Sequence, residues 1–347
     1  MVKKTKIIKI DPKKIESNKI RIAADIIKRG GTVAFPTETV YGLGANALSS
    51  RAVLKIFKAK KRPADNPIIV HVCNKNDIYK LAERVPKEAE ELIAKFWPGA
   101  LTLLLKKSKL VPYTTTGGLD TVCIRMPSHL IAQALIKLSK TPIAAPSANL
   151  AGKPSPTTAQ HVIQDLKGRI DAVIDGGATK IGVESTVLDL TAKIPTILRP
   201  GGVSLEELKK VLNVVKVHEL AKAEVELETA VALSPGMKYR HYAPKAEMIL
   251  VEGSKEKMIR KLQVLAAKYK NKKLGILSFT GYPYKAEKLI FLGKDLEKAA
   301  ERLFSALREF DKCKVQLILS ESCTTKGIGL AVMNRLRKAS GYNIVRV

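Results

Sequence analysis

Cysteine is scarce in this sequence. Four residues in 347, Cys73, Cys123, Cys313 and Cys323, stand far apart, with no CxxC pair and no clustered histidines. That excludes a zinc site of the usual ligand spacing. Cys73 and Cys123 fall in apolar, strand-like runs and read as reduced core residues. Long apolar stretches are missing too. None approaches the roughly 18 residues of a membrane span, and the basic start MVKKTKIIKIDPKK leads into no apolar signal region. The chain is therefore expected in the cytoplasm, away from membranes. Four signatures of familiar chemistry are absent: a GxxxxGKS/T phosphate loop, a GxGxxG turn, an HExxH helix and a GxSxG elbow. A nucleotide, if one binds, must be cradled some other way.

Acidic residues are few, with 32 Asp plus Glu against 61 Lys plus Arg and a formal charge of +29. Such an excess seeks anions, whether nucleic acid, nucleotides or acidic surfaces. Residues 245–347 hold 22 Lys and Arg against 10 Asp and Glu, so no single basic tail explains the charge. Lysine-rich surfaces also mark proteins from hot environments, which is the second reading of the same number. The 46% hydrophobic and 27% charged content is that of a soluble globular protein. At this length the expectation is two domains.

From residue 20 to about 203, short β-rich runs alternate with amphipathic helical stretches. GTVAF (31–35), PIIVHV (67–72), ALTLLLK (100–106), TVCIRM (121–126), DAVID (171–175), STVLDL (185–190) and TILR (196–199) read as strands. PKEAEELIAKF (86–96) and HLIAQALIKLS (129–139) read as helices between them. The alternation predicts an α/β domain with a mixed, twisted sheet over residues 1–216. A capping box, Ser204 with Glu207, opens a short helix. Residues 217–244 lose the pattern and end in the aromatic-basic run SPGMKYRHYAP (234–244), which suits a linker with a function. Residues 245–347 alternate again as a small, doubly wound α/β domain.

Four blocks carry chemistry. In GTVAFPTETVYGLGANA (31–47), Pro36 fixes a strand exit and leaves Thr37, Thr39 and Tyr41 free to present hydroxyls. Gly42 and Gly44 there serve positive φ or close backbone approach. Glu38 suits a metal or a substrate amine, or pairs with a lysine. KAKKRPADNPIIVHV (58–72) places Lys60, Lys61 and Arg62 at a helix end, then Asn66 and a strand bearing His71. That cluster suits a polyphosphate, and a solvated helix end is the alternative. In TTTGGLDTVCIRMPSH (114–129), Arg125 stands alone among apolar residues. If buried it needs a partner, either a substrate carboxylate or a structural Asp or Glu. PIAAPSANLAGKPSPTTA (142–159) offers Ser147, Asn149, Ser155 and Thr157 on small turns before a helix capped by Thr157 or Thr158.

Together and in this order, FPTETVYGLG, KxRP with DNPIIVH, LDTVCIRMP, APSAN with SPT, VESTV and LRPG closely resemble the YrdC-like family of threonylcarbamoyl-AMP synthases, over residues 20 to 205. SPGMKYRHYAP further resembles the signature of that family's two-domain branch. The resemblance implies a YrdC-like twisted mixed-sheet catalytic domain followed by a smaller Rossmann-like domain. It implies an enzyme that carboxylates L-threonine with bicarbonate and joins the product to AMP from ATP, releasing pyrophosphate. Mg²⁺ is expected with the ATP. A downstream threonylcarbamoyl-transferase complex would then modify the adenosine next to the anticodon of tRNA.

Carried over residue by residue, Lys60, Arg62, Asn66, Thr121, Ser147, Ser155 and Arg199 match ATP positions, with Asn149 shaping their turn. Thr37, His71, Arg125, Ser185 and the backbone near Ala145 match positions around threonine, Arg125 facing its carboxylate. The aromatic-basic linker is expected to fold over the cleft as a lid, bringing Tyr239 or His241 to the nucleotide. The competing reading is a maturation factor that binds tRNA or double-stranded RNA without threonine-dependent turnover. A hydrogenase-type carbamoyl transferase lacks its zinc-finger cysteines here.

Overall fold

The computed structural model describes residues 4–224, 232–235 and 242–347. Among them, eleven strands form one mixed sheet: β1 (Lys6–Lys9), β2 (Val33–Pro36), β3 (Tyr41–Asn46), β4 (Val70–His71), β5 (Leu101–Lys106), β6 (Thr121–Arg125), β7 (Ile143–Ala144), β8 (Ala172–Asp175), β9 (Thr186–Asp189), β10 (Thr196–Arg199) and β11 (Lys216–Val217). Their order is β1-β8-β2-β3-β7-β4-β6-β5-β9-β10-β11. Five further strands, β12 (Glu247–Glu252), β13 (Leu274–Ser278), β14 (Lys288–Phe291), β15 (Leu317–Glu321) and β16 (Ile344–Arg346), form a second sheet in the order β14-β13-β15-β12-β16. All its pairings are parallel, the pattern of a doubly wound unit.

Strand alternation sorts the first domain's core onto two faces. In β2, Val33 and Phe35 pack with the helices Ser17–Lys28 and Leu130–Ser139, whereas Ala34 belongs to the core of the other face, with Ala159 and Val162 of the helix Ala159–Leu166. Helix ends follow local chemistry. Ser204 and Glu207 form the capping box, and Thr158 caps the helix Ala159–Leu166 by accepting from the His161 amide. In the second domain the sequence pattern marks helices at 255–269, 295–310 and 328–338, and the helices Lys255–Lys268, Leu296–Cys313 and Gly329–Ala339 lie within three residues of those bounds.

The structure departs from the sequence reading at YGLGAN. It is strand β3, antiparallel to β2, where a turn was expected. Its two glycines hide the strand pattern, and close approach is their reason, since neither has positive φ. A Cβ on Gly44 would stand 2.7 Å from the Phe35 ring and 2.7 Å from Ile143. Cys123 is buried as expected, but Cys73 is only half-buried. No helix among the described residues is long and apolar enough to cross a membrane.

The two units share a hydrophobic contact. Val40 and Val183 of the first join Phe304, Leu307 and Leu336 of the second in one buried cluster. Both valines adjoin segments that carry the candidate site.

Candidate active site

The β2-β3 turn is tied by its own hydroxyls. Thr37 Oγ1 donates to Val40 O at 2.7 Å and lies 2.8 Å from Thr39 Oγ1. This fixes Glu38 at the turn's tip, facing Arg125 on β6. The Arg125 Nη2 to Glu38 Oε1 distance is 2.7 Å, an ion pair whose angle is off a hydrogen bond. Arg125 also donates from Nη1 to Thr39 Oγ1 and from Nε to Gly99 O, both at 3.0 Å. Glu38 is thus the structural partner that a buried Arg125 requires. Burial alone would raise the Glu38 carboxyl's pKa, but the Arg125 charge and nearby backbone donors outweigh it and hold it below the usual value.

Parallel pairing of β4 with β6 sets His71 directly beside Arg125. Thr102 on β5 lies opposite Arg125 on its other side. His71 is buried against Phe35, ring edge to face. Burial and the Arg125 charge push its pKa down to about 3, so the imidazole is neutral. Its Nδ1–H donates to Ile69 O at 3.2 Å. Thr102 in turn lies 2.8 Å from Ser185 Oγ, and Arg199, at the end of β10, donates to that hydroxyl at 3.1 Å and to Ser185 O at 2.9 Å. Ser185 meets only a hydroxyl and a guanidinium among these partners, and neither can take its proton as a general base, so this is not the setting of an activated nucleophile.

The opposite wall is the turn after β7. Lys60 is 1% exposed and donates from Nζ to Ser147 O and Asn149 O at 2.5 and 2.6 Å. Asn149 holds the same turn from the other side, its amide donating to Leu150 O and Lys153 O. Lys61 ends the helix Ser50–Lys60 in a left-handed conformation, φ 54°. That residue separates its neighbours: Lys60 turns under the Ser147 turn while Arg62 reaches the cleft. Arg62 is braced by Asn66, donating to its Oδ1 at 2.5 Å and to Pro67 O at 3.0 Å.

One cleft gathers Thr37, His71, Arg125, Ala145 and Ser185 with Arg62, Ser147, Asn149, Ser155 and Arg199. Its empty space, open mouth included, is about 610 Å³. Three expected residues do not line it. Lys60 and Asn66 are buried behind the wall as supports, and Thr121 begins β6 opposite Lys106. Tyr239 and His241 lie outside the described residues, as does most of the expected lid, although Pro235 and Tyr242 from that segment line the cleft. The sequence reading missed Glu184, Lys153 and Tyr242. Glu184 accepts from Ser155 Oγ at 2.6 Å and pairs with Arg335 of the second unit. A lone acid in the apolar run GVESTV was the available signal.

Three buried or half-buried carboxyls, Glu38, Asp165 and Glu184, have pKa values held below their ordinary ones. Burial opposes the shift in each, and the arginines Arg125, Arg308 and Arg335 overcome it. A carboxylate lowered in the folded state contributes stability that is complete above its unfolded pKa, near 4, and lost as pH falls through the folded value. His71, held at about 3 in the fold, adds a loss that begins as the unfolded imidazole takes up its proton below about pH 6.5, so the melting temperature is expected to decline from there and to drop further below about pH 4.5. Thermal melts across that range check this, and an unchanged melting temperature at pH 3.5 would contradict it.

The family described as Telomere recombination matches residues 25–201, and the Threonylcarbamoyl-AMP synthase, C-terminal domain, matches residues 203–341. A threonylcarbamoyl-AMP synthase of Pyrococcus abyssi is 55% identical over 96% of this chain and 97% of its own. One of Bacillus subtilis is 47% identical over 93% of each. The crystal structure of P. abyssi Sua5 complexed with L-threonine superposes with a TM-score of 0.95 at 55% identity, covering 99% of this chain and 100% of that one. With both domains matched end to end and the mixed and parallel sheets in place, the chain belongs to the two-domain Sua5/YrdC family of enzymes, the threonylcarbamoyl-AMP synthases.

Proposed function

We propose that this protein makes L-threonylcarbamoyl-AMP from L-threonine, bicarbonate and ATP, releasing pyrophosphate, in the cytoplasm. The product would pass to a threonylcarbamoyl-transferase complex that modifies tRNA next to the anticodon. The observation that carries the reading is the buried Arg125, in register with neutral His71 and facing a cleft that Arg62 and Arg199 also line. One end suits an amino acid carboxylate and the other a polyphosphate.

In the first step the threonine nitrogen attacks the bicarbonate carbon, and loss of water leaves an N-carboxylate. In the second, an oxygen of that carboxylate attacks the α-phosphorus of ATP, and the bond to the β-phosphate oxygen breaks with pyrophosphate leaving. Neither step needs a protein nucleophile. Both need two anions held in line, an alignment and charge problem. Arg125 would hold the amino acid carboxylate, with Thr37 and Thr39 shaping the turn beside it. Neutral His71 adds no positive charge beside the amine, which must be unprotonated to attack. Arg62, Arg199, Ser147 and Ser155 would orient the phosphates.

Mg²⁺ chemistry fits this site only through the nucleotide. No group of three metal-ligating side chains occurs among the described residues, and Glu184 in the cleft's lining and Glu38 behind Arg125 already face arginines. An ion would enter with the ATP phosphates and neutralise them. No step is routed through it.

Pyrophosphate release by the purified protein is expected to depend on threonine and bicarbonate together, with serine or water giving a small fraction of the rate. Equal release without threonine, alongside salt-sensitive binding of double-stranded RNA, would move the assignment to the RNA-binding alternative.

A further inference from the structure

Among the described residues, Arg335 of the second unit pairs with a carboxylate that lines the cleft. Arg335, on the helix Gly329–Ala339, is completely buried. Its Nε and Nη2 both lie 3.0 Å from Glu184 Oε2, and Nη1 donates to Pro200 O at 2.7 Å. The other Glu184 oxygen, Oε1, accepts from Ser155 Oγ at 2.6 Å. A single carboxylate thus bridges the second domain to a hydroxyl that lines the cleft. The guanidinium also lies 5.5 Å from the Tyr242 ring, itself stacked on Phe304 of the second unit.

Burial disfavours every charge in this cluster, and two guanidiniums, Arg199 and Arg335, face one carboxylate. The balance is positive on the side where the proposed phosphates would lie. Without Arg335, Glu184 would be a buried anion beside that position, repelling the nucleotide and free to swing away from Ser155. The neighbouring contacts make the arrangement rigid. Gly182, φ 81°, lets the backbone before Glu184 press on the helix Leu296–Cys313, where a Cβ would stand 2.3 Å from Ala300 O. Thr157 Oγ1 meets Ser305 Oγ at 2.9 Å two residues beyond Ser155.

We propose that Arg335 is a positioning residue for ATP, acting from the C-terminal domain through Glu184 on Ser155. The inference rests on the ATP reading above. It gives the second domain a role in the chemistry, because the nucleotide side of the cleft is complete only when that domain is docked.

The test is calorimetric binding of a non-hydrolysable ATP analogue and of threonine to the full chain, with steady-state kinetics beside it. Arg335→Met should weaken the analogue about tenfold and raise the KM for ATP by a similar factor, with threonine binding within twofold of the parent. Arg335→Met/Glu184→Gln removes the pair together, avoids an unpaired buried charge and guards against misfolding. If Arg335 acts through Glu184, the double variant should bind the analogue no more weakly than Glu184→Gln alone. Unchanged analogue binding in folded Arg335→Met, or strictly additive effects in the cycle, would overturn the proposal. Equal loss of analogue and threonine would mark domain undocking and overturn it as well. Failure of the parent protein to bind the analogue would instead refute the ATP reading itself.

Discussion

Arg125→Ala is expected to lower kcat/KM for threonine by about 100- to 1,000-fold, about 3–4 kcal/mol, the range for truncating one partner of a buried charged contact. The guanidinium is 3% exposed and positioned by Thr39 and Gly99. Water cannot easily replace it. ATP binding should change little, since the arginines assigned to the phosphates are Arg62 and Arg199. Threonine titration and ATP-analogue titration on the same variant separate the two effects.

Stability gives that prediction a second edge. Removing Arg125 leaves the Glu38 carboxylate buried without its cation, which costs about 3–5 kcal/mol in comparable pairs. Arg125→Ala should therefore melt lower as well as fail to bind threonine. Adding Glu38→Gln should recover much of the stability and none of the threonine affinity. Recovery of both would mean that Arg125 serves the fold alone. Glu38→Gln by itself should keep far more activity than Arg125→Ala, because Glu38 holds the arginine rather than the substrate in this reading.

The contrast between these residues bears on what a sequence can disclose. Helices such as 87–96 and 296–313 were legible because their apolar faces repeat at helical spacing and their caps are local. The neighbours His71 and Arg125 were each visible as polar residues on apolar strands. Their pairing was not, because parallel register between strands 54 residues apart leaves no local trace. Glu38 could be read three ways until the fold supplied a partner. Strand β3 was hidden by glycines whose reason is the Phe35 ring packed over them. Arg335, Arg337 and Lys338 in LAVMNRLRKAS look like the solvated side of an amphipathic helix, yet all three are buried. Arg335 reaches Glu184 of the first unit and Arg337 pairs with Glu252 of its own, contacts that no local pattern announces. The role given to Tyr239 and His241 stands on the aromatic-basic composition of the linker.

Lys60 offers the sharpest division between contact and support. The resemblance assigns it to ATP, whereas in the fold its ammonium sits behind the cleft wall, holding the carbonyls of Ser147 and Asn149. Burial, with the Arg62 charge nearby, pushes its pKa well below the ordinary lysine value, and the two carbonyls are the acceptors its nitrogen is given there. Lys60→Met should orphan both carbonyls at about 1–3 kcal/mol each, loosen the turn that carries Ser147 and cut turnover by about 100-fold or more. A direct phosphate contact predicts something else: a large rise in the KM for ATP with an unchanged melting temperature. Lys60→Arg discriminates further. A planar fork cannot occupy the space of a compact ammonium between two converging carbonyls, so the supporting role predicts no rescue, while a contact through charge alone predicts substantial rescue. Melting temperature and ATP titration of the two variants therefore decide whether the lysine touches the nucleotide or builds the wall that does.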